Sequence, residues 1–86
     1  MAHLLRYKRY PRAAQSRGDE GTVYVHFTIA RTGQVLSQQI VRPSGKELLD
    51  AEATDMFRRM PPFPPAPADL PGPVFEFNIP IQFGLR

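Results

Sequence analysis

The sequence predicts a small α+β domain with the element order α-β-β-α-β. Two segments of alternating apolar and polar residues flank the short turn "RTGQ", an apolar stripe with helical spacing follows, and "VFEFNIPIQF" supplies a third alternating segment. We expect a three-stranded antiparallel sheet packed by one main helix and one short N-terminal helix. A chain of 86 residues has room for one such domain.

The first half of the chain predicts a short helix and a β-hairpin. Pro11 and the helix-forming residues after it indicate a helix over 11–17. From Thr22 to Ala30 apolar residues alternate strictly with polar ones, which is typical of a strand with one buried face. Gly33 supplies the positive φ that a short hairpin loop needs, so the segment Val35 to Arg42 is predicted to be the partner strand.

The second half predicts the main helix, a proline-rich connection and a last strand. Ser44 and Glu47 have the spacing of a capping box, so the helix is predicted to begin at Ser44. Its expected buried stripe comprises Leu49, Ala53, Met56, Phe57 and Met60. Residues 61–73 are predicted to form an extended polyproline connection. The final strand is Val74 to Phe83, and its apolar face is expected in the core: Phe75, Phe77, Ile79, Ile81 and Phe83.

The positive charge of the chain is concentrated near its start. The formal net charge is +3, and five cations precede the first acidic residue, Asp19. We divide the chain into a basic N-terminal arm, residues 1–9, part of which we expect to be non-native because of the start "MAH", and a domain over 10–86. The arm and its nearby tyrosines allow one alternative function, a small basic nucleic-acid-binding module that neutralises phosphates and stacks on bases.

The residue types that carry catalysis or bind metals are sparse. The chain has no cysteine and two histidines, His3 and His26, neither with a second ligand at helical spacing. Asp19 and Glu20 are adjacent in a predicted turn and are not opposed across a cleft. We therefore expect no enzyme activity, no metal and no cofactor. His26 is expected on the polar face of the first strand, either solvated or packed across strands.

Pro80 lies inside the last predicted strand, although proline cannot donate to a sheet ladder. Proline in a strand is confined to edges, strand starts and bulges, so this strand is expected at an edge with Pro80 pointing its backbone away from the ladder. Glu76, Asn78 and Gln82 share the parity of Pro80 and would present free backbone groups on the same side. Two interpretations stay open: a proline that protects an edge from aggregation, or an edge that accepts a partner strand.

Five stretches, in this order and spacing, carry a resemblance to a known family. They are "YPRAAQSRGDEG", "VYVHFTIARTGQV", "PSGKELLDAEATDMFRR", "PFPPAP" and "FNIPIQFGLR". Together they resemble the C-terminal domain of the TonB energy transducers of Gram-negative bacteria, over nearly the whole chain. The resemblance implies a periplasmic domain of a protein anchored in the inner membrane, with a three-stranded antiparallel sheet that has helices on one face.

The resemblance also implies partners and a binding site. A segment of an outer-membrane transporter, the Ton box, would add as a strand to the last strand, and a proton-driven inner-membrane motor would power uptake of substrates such as siderophores or haem. A homodimer that exchanges the last strand is a further expectation. The implied partner-binding residues are Tyr7, Lys8, Arg9, Tyr10, Pro11, Val74, Phe75, Glu76, Phe77, Asn78 and Ile79.

Overall fold

The computed structural model describes residues 6–85. Residues 1–5, which include His3 and more than half of the predicted arm, lie outside the described residues, as does residue 86. The elements are α1 (Arg12–Arg17), β1 (Gly21–Ala30), β2 (Val35–Arg42), α2 (Glu47–Arg59) and β3 (Val74–Phe83). The predicted order α-β-β-α-β is confirmed.

The three strands form one antiparallel sheet in the order β2-β1-β3, so β1 is central. β1 and β3 pair without interruption, from Gly21 opposite Phe83 to Ala30 opposite Val74. The pairing of β1 with β2 shifts register twice and leaves Leu36 and Val41 without a paired residue. Such β-bulges bend a strand and disrupt its ladder locally. The sheet therefore has one regular edge, β3, and one irregular edge, β2.

The core fills the space between one face of the sheet and α2, and Phe27 of β1 is at its centre. The Phe27 ring is fully buried and lies 5.2 Å from the ring of Phe57, 5.7 Å from Phe63 and 5.4 Å from Phe77, measured between centroids. The predicted helical stripe is buried as expected. The buried apolar residues are Ala14, Val23, Val25, Phe27, Leu49, Ala53, Met56, Phe57, Met60, Phe63, Ile79, Ile81 and Phe83.

The prediction of a capping box at the start of the main helix is wrong. The helix begins at Glu47 with Lys46 as its N-cap, and Ser44 pairs with Asp50 and not with Glu47. The Ser44 amide and hydroxyl donate to Asp50 Oδ1 at 2.9 and 2.8 Å. The cause is Gly45, whose φ of +88° turns the chain before the helix starts and leaves Ser44 outside it.

The expectation that the whole apolar face of β3 is in the core holds for only part of the strand. Ile79, Ile81 and Phe83 are buried, but Phe75 is half-buried and Phe77 is 37% exposed. Phe77 packs against Phe27 on one side, and among residues 6–85 no strand lies on its other side. The exposure follows from the position of β3 at the sheet edge.

The proline-rich segment 61–73 contains no helix, as predicted, but it is anchored to the hairpin turn. The Phe63 amide donates to the Gly33 carbonyl and the Ala66 amide donates to the Arg31 carbonyl, both at 2.8 Å. The Arg31 guanidinium also donates to carbonyls further along the segment, those of Pro67, Leu70 and Gly72. These bonds fix the place at which the chain enters β3.

We expect Gly33→Ala to destabilise the domain by about 3 to 5 kcal/mol, because it combines backbone strain with overpacking. Gly33 has a φ of +95°, and a Cβ built on it would lie 1.7 Å from the Phe63 carbonyl oxygen. Gly45→Ala is the matched control, since Gly45 has a φ of +88° but nothing within 4 Å of its Cβ position. We expect the control to cost about 1 to 2 kcal/mol. Urea unfolding of both variants checks this, and equal losses would contradict the docking of segment 61–73 on the turn.

Candidate partner-binding edge

The direction of the backbone groups of β3 follows from its pairing with β1. The Arg31 amide donates to the Pro73 carbonyl at 3.2 Å, and this pair continues the register of the two strands. Hydrogen-bonded and non-hydrogen-bonded pairs alternate in an antiparallel ladder, so the odd-numbered residues of β3 bond to β1. Pro80 faces Tyr24 in this register, at a position where no donor is needed. The predicted parity of Pro80 agrees with this geometry.

The even-numbered residues of β3 therefore direct their amides and carbonyls to the side away from β1. This outer side has no strand neighbour within the described part of the chain. Val74, Glu76 and Asn78 each offer one donor and one acceptor there, while Pro80 offers an acceptor alone. Such a row of unpaired groups is a template for adding an extended strand.

The described part of the arm closes the other end of this edge. Lys8 Nζ donates to the carbonyl of Gln82, whose backbone points to the outer side, and lies 5.3 Å from the centre of the Phe83 ring. The Tyr10 ring packs edge-on against Phe83 with the centroids 5.5 Å apart. An open cleft of about 470 Å³ lies beside these residues. Among residues 6–85, nothing in the sheet or the arm thus covers the outer edge over residues 74–80.

The arm is held in this position by an ion pair on α2. Arg59 and Glu52 form two hydrogen bonds, and Glu52 is only 8% exposed. The Arg9 amide donates to Glu52 Oε2 at 2.8 Å, and Arg59 Nη2 donates to the Tyr7 carbonyl at 2.6 Å. The hydrogen bond to Glu52 raises the pKa of Arg59 from its ordinary value, against the opposing effect of burial. We call these two side chains the arm clamp.

Tyr10 adds a second attachment between the arm and the body of the domain. Its hydroxyl donates to the carbonyl of Asp19, which follows α1. Burial, and then the carboxylates of Glu20 and Asp19, raise the pKa of the Tyr10 phenol. The phenol therefore stays protonated over a wider pH range and remains a hydrogen-bond donor to this carbonyl.

The structure places the predicted site residues in two groups. In the first group, Lys8 and Tyr10 contact the Gln82–Phe83 end of β3. The backbones of Tyr7 and Arg9 bond to side chains of α2, and Pro11 is the N-cap of α1. The second group, residues 74–79, lies toward the other end; Val74 and Gln82 are about 26 Å apart at roughly 3.3 Å per residue. The arm clamp was not predicted from the sequence. The available signal was Glu52, an acidic residue inside the apolar stripe, with Arg59 two turns later.

His26 connects β1 to the second group and lies on the polar face of the sheet, as expected. Its Nδ1 is 2.8 Å from Asn78 Oδ1 and its Nε2 is 3.1 Å from Glu76 Oε1. Across residues 6–85, no group of three or more His, Cys, Asp or Glu side chains is arranged to hold a metal ion. The helices in the same range are all too short or too polar to cross a membrane.

We expect Glu52→Gln to lower the free energy of unfolding by about 2 kcal/mol, because it leaves Arg59 without its charge partner in a largely buried place. The Arg9 amide, which donates to Glu52, should then exchange with solvent faster. Urea unfolding and amide hydrogen exchange measure the two effects.

Asp55→Asn on the same helix is the control for the arm clamp. Asp55 pairs with Arg58 at 3.2 Å, but both side chains are more than half exposed. We expect this control to cost less than about 0.5 kcal/mol and to leave the exchange of the Arg9 amide unchanged. Similar results for the two variants would contradict the role of Glu52 as a buried anchor for the arm.

Comparison with known proteins connects this chain to a family. The sequence profile described as "Gram-negative bacterial TonB protein C-terminal" matches residues 6–85. The chain is 37% identical over 68 residues to Protein TonB of Pseudomonas putida. This matched region covers 79% of this chain and 28% of that protein. It is 36% identical over 78 residues to Protein TonB of Vibrio cholerae, covering 91% of this chain and 32% of that protein. The chain thus spans about a third of the length of these curated relatives.

Solved structures show the same fold. The solution structure of a Helicobacter pylori TonB C-terminal domain has a TM-score of 0.80 at 29% identity and covers 99% of this chain and 76% of that chain. The C-terminal domain of HasB has a TM-score of 0.62 at 37% identity and covers 99% of this chain and 66% of that chain. The chain belongs to the family of C-terminal domains of Gram-negative bacterial TonB proteins.

Proposed function

We propose that this domain is the periplasmic docking part of a TonB-like energy transducer and that it is not an enzyme. It binds the Ton box of an outer-membrane transporter as an added strand along residues 74–79 of β3. The complete protein is anchored in the inner membrane, and a motor there uses the proton gradient to drive substrate uptake through the transporter. The observation that carries the proposal is the regular outer edge of β3, which has no strand neighbour within residues 6–85, in a TonB C-terminal domain.

The difference between the two sheet edges supports β3 as the acceptor strand. A strand that adds to a sheet needs donors and acceptors at even spacing over several residues. β3 keeps one register over ten residue pairs with β1, whereas β2 is interrupted at Leu36 and Val41. The bulges misalign the groups of β2, and they protect that edge against unwanted pairing.

Three features set the length of the added strand. Pro80 has no amide to donate, so a partner cannot complete its pairing there. Beyond it, the Gln82 carbonyl already accepts a hydrogen bond from Lys8. At the other end, the bonds from Arg31 hold the preceding segment at the start of β3. We therefore infer that the partner pairs with residues 74–79, where the even-numbered residues of β3 direct their amides and carbonyls outward.

The arm provides a mechanical connection that suits a transducer. In a protein anchored through its N-terminal part, tension would enter the domain at the arm. The arm clamp passes it to α2, and Lys8 passes it to the end of β3. Lys8 is engaged within the domain by Gln82 and Phe83, which favours this role over phosphate binding and so disfavours the nucleic-acid alternative.

We expect Asn78→Pro to weaken the binding of a Ton box peptide by about tenfold or more. The change removes the outward amide of residue 78, which would donate a hydrogen bond to a carbonyl of the partner strand. The proline ring would also lie between the two strands at this position. The β1 ladder keeps its hydrogen bonds, so the variant should fold. Isothermal titration with a Ton box peptide from a candidate transporter measures the affinity, and circular dichroism checks the fold.

Asn78→Ala is the control, because it removes the contact of the side chain with His26 and keeps the backbone amide. We expect it to bind within about twofold of the wild-type domain. Unchanged binding by Asn78→Pro would contradict strand addition at β3, and unfolding of that variant would contradict the assigned parity. Sedimentation at the titration concentrations shows whether a second copy of the domain competes for the same edge.

A further inference from the structure

The uncovered part of β3 presents two chemically different faces to a partner strand. Side chains on a strand alternate between the faces of the sheet, and those of an added strand lie beside them. On the helix side the edge offers the rings of Phe75 and Phe77. On the opposite side it offers the polar side chains of Glu76 and Asn78. Side chains on both faces of an added strand would therefore contact side chains of β3.

The polar face carries a single negative charge at the edge. Glu76 is the one ionisable residue in the sequence of β3. Its side chain is 66% exposed, and His26 Nε2 lies 3.1 Å from one of its carboxylate oxygens. The same imidazole contacts Asn78, so it ties both side chains to the central strand. The carboxylate is held beside the place where a partner strand would lie, and most of its side chain is exposed there.

The helix-side face combines an apolar surface with a positive charge. Phe77 is held by stacking on Phe27 and still exposes part of its ring at the edge. An apolar side chain of the partner would bury against this ring without any movement of the core. Near Phe75 the guanidinium of Arg31 lies 5.9 Å from the ring centre, which disfavours a second cation on this face. The two faces thus differ in both polarity and charge.

We propose that this edge selects extended peptide segments in which apolar residues alternate with basic residues. The apolar side chains face Phe75 and Phe77, and a Lys or Arg faces Glu76. This selectivity rests on the proposed function, since it assigns a chemistry to the strand that β3 accepts. Opposite charges on neighbouring strands stabilise a pair and like charges destabilise it, so the charge of the facing residue discriminates between partner proteins.

Three capped synthetic peptides of the form Val-X-Val-X-Val-X-Val test the proposal, with X as Lys, Glu or Gln throughout. The repeat makes the result insensitive to shifts by two residues, because such a shift restores the same faces. NMR titrations at low ionic strength give the dissociation constants. We expect the wild-type domain to bind the Lys peptide about fivefold more tightly than the Glu peptide. The net charge of +3 acts in the opposite direction, so this preference cannot come from the overall charge of the domain.

Glu76→Lys should reverse the preference, and Glu76→Gln should abolish it while disturbing the neighbouring His26 less. Glu47→Lys is the matched control, because it changes the net charge by the same amount at an exposed residue in the first turn of α2. Leu49 on that turn is next to Gly21, at the opposite end of β1 from Thr28, the partner of Glu76. We expect Glu47→Lys to keep the preference for the Lys peptide.

The outcomes separate this inference from the proposed function. Equal affinities of the wild-type domain for the Lys and Glu peptides would overturn the charge selection. Strand addition would survive that result if the Gln peptide still binds and Asn78→Pro weakens its binding. A change of preference in Glu47→Lys as large as that in Glu76→Lys would also overturn the inference. Failure of all three peptides to bind the wild-type domain would overturn both proposals.

Discussion

The pairing of β1 with β3 is the constraint from which the rest of the account follows. Two independent features of β3 specify the same register. Its apolar residues must face α2, and Pro80 must lie opposite Tyr24, where the ladder needs no donor. A slip by one residue would turn the apolar side chains to solvent and bring Pro80 into the ladder. The register therefore also fixes which backbone groups point outward.

Long-range contacts limit this outward row at both ends. Before the start of β3, the guanidinium of Arg31 donates hydrogen bonds to three carbonyls of the proline-rich segment. These bonds fix the position at which the chain enters β3. At the far end, Lys8 occupies the Gln82 carbonyl, and the arm clamp of Glu52 and Arg59 holds the arm in place. The row of outward backbone groups is therefore short and has a defined length. A short edge lowers the risk of aggregation that an open strand carries.

The sequence predicted most of the features that depend on neighbouring residues, and the start of α2 is the exception. The strand alternation, the hairpin turn at Gly33 and the buried stripe of α2 are local patterns, and each was predicted. The helix start was wrong because Gly45 changes the chain direction between Ser44 and Glu47. The exposure of Phe77 and the arm clamp depend on contacts between distant segments. Local sequence patterns identify the residues involved, but they do not predict which distant segments contact each other.

Hydrogen exchange of the β3 amides, with and without a Ton box peptide, tests the central claim most directly. In the isolated domain we expect the amides of Phe77 and Ile79 to be protected by β1 and those of Glu76 and Asn78 to exchange fast. Peptide binding should slow the exchange of Glu76 and Asn78 and change Phe77 and Ile79 little. Protected Glu76 and Asn78 amides in the isolated domain, or no slowing of them when the peptide binds, would contradict strand addition at this edge.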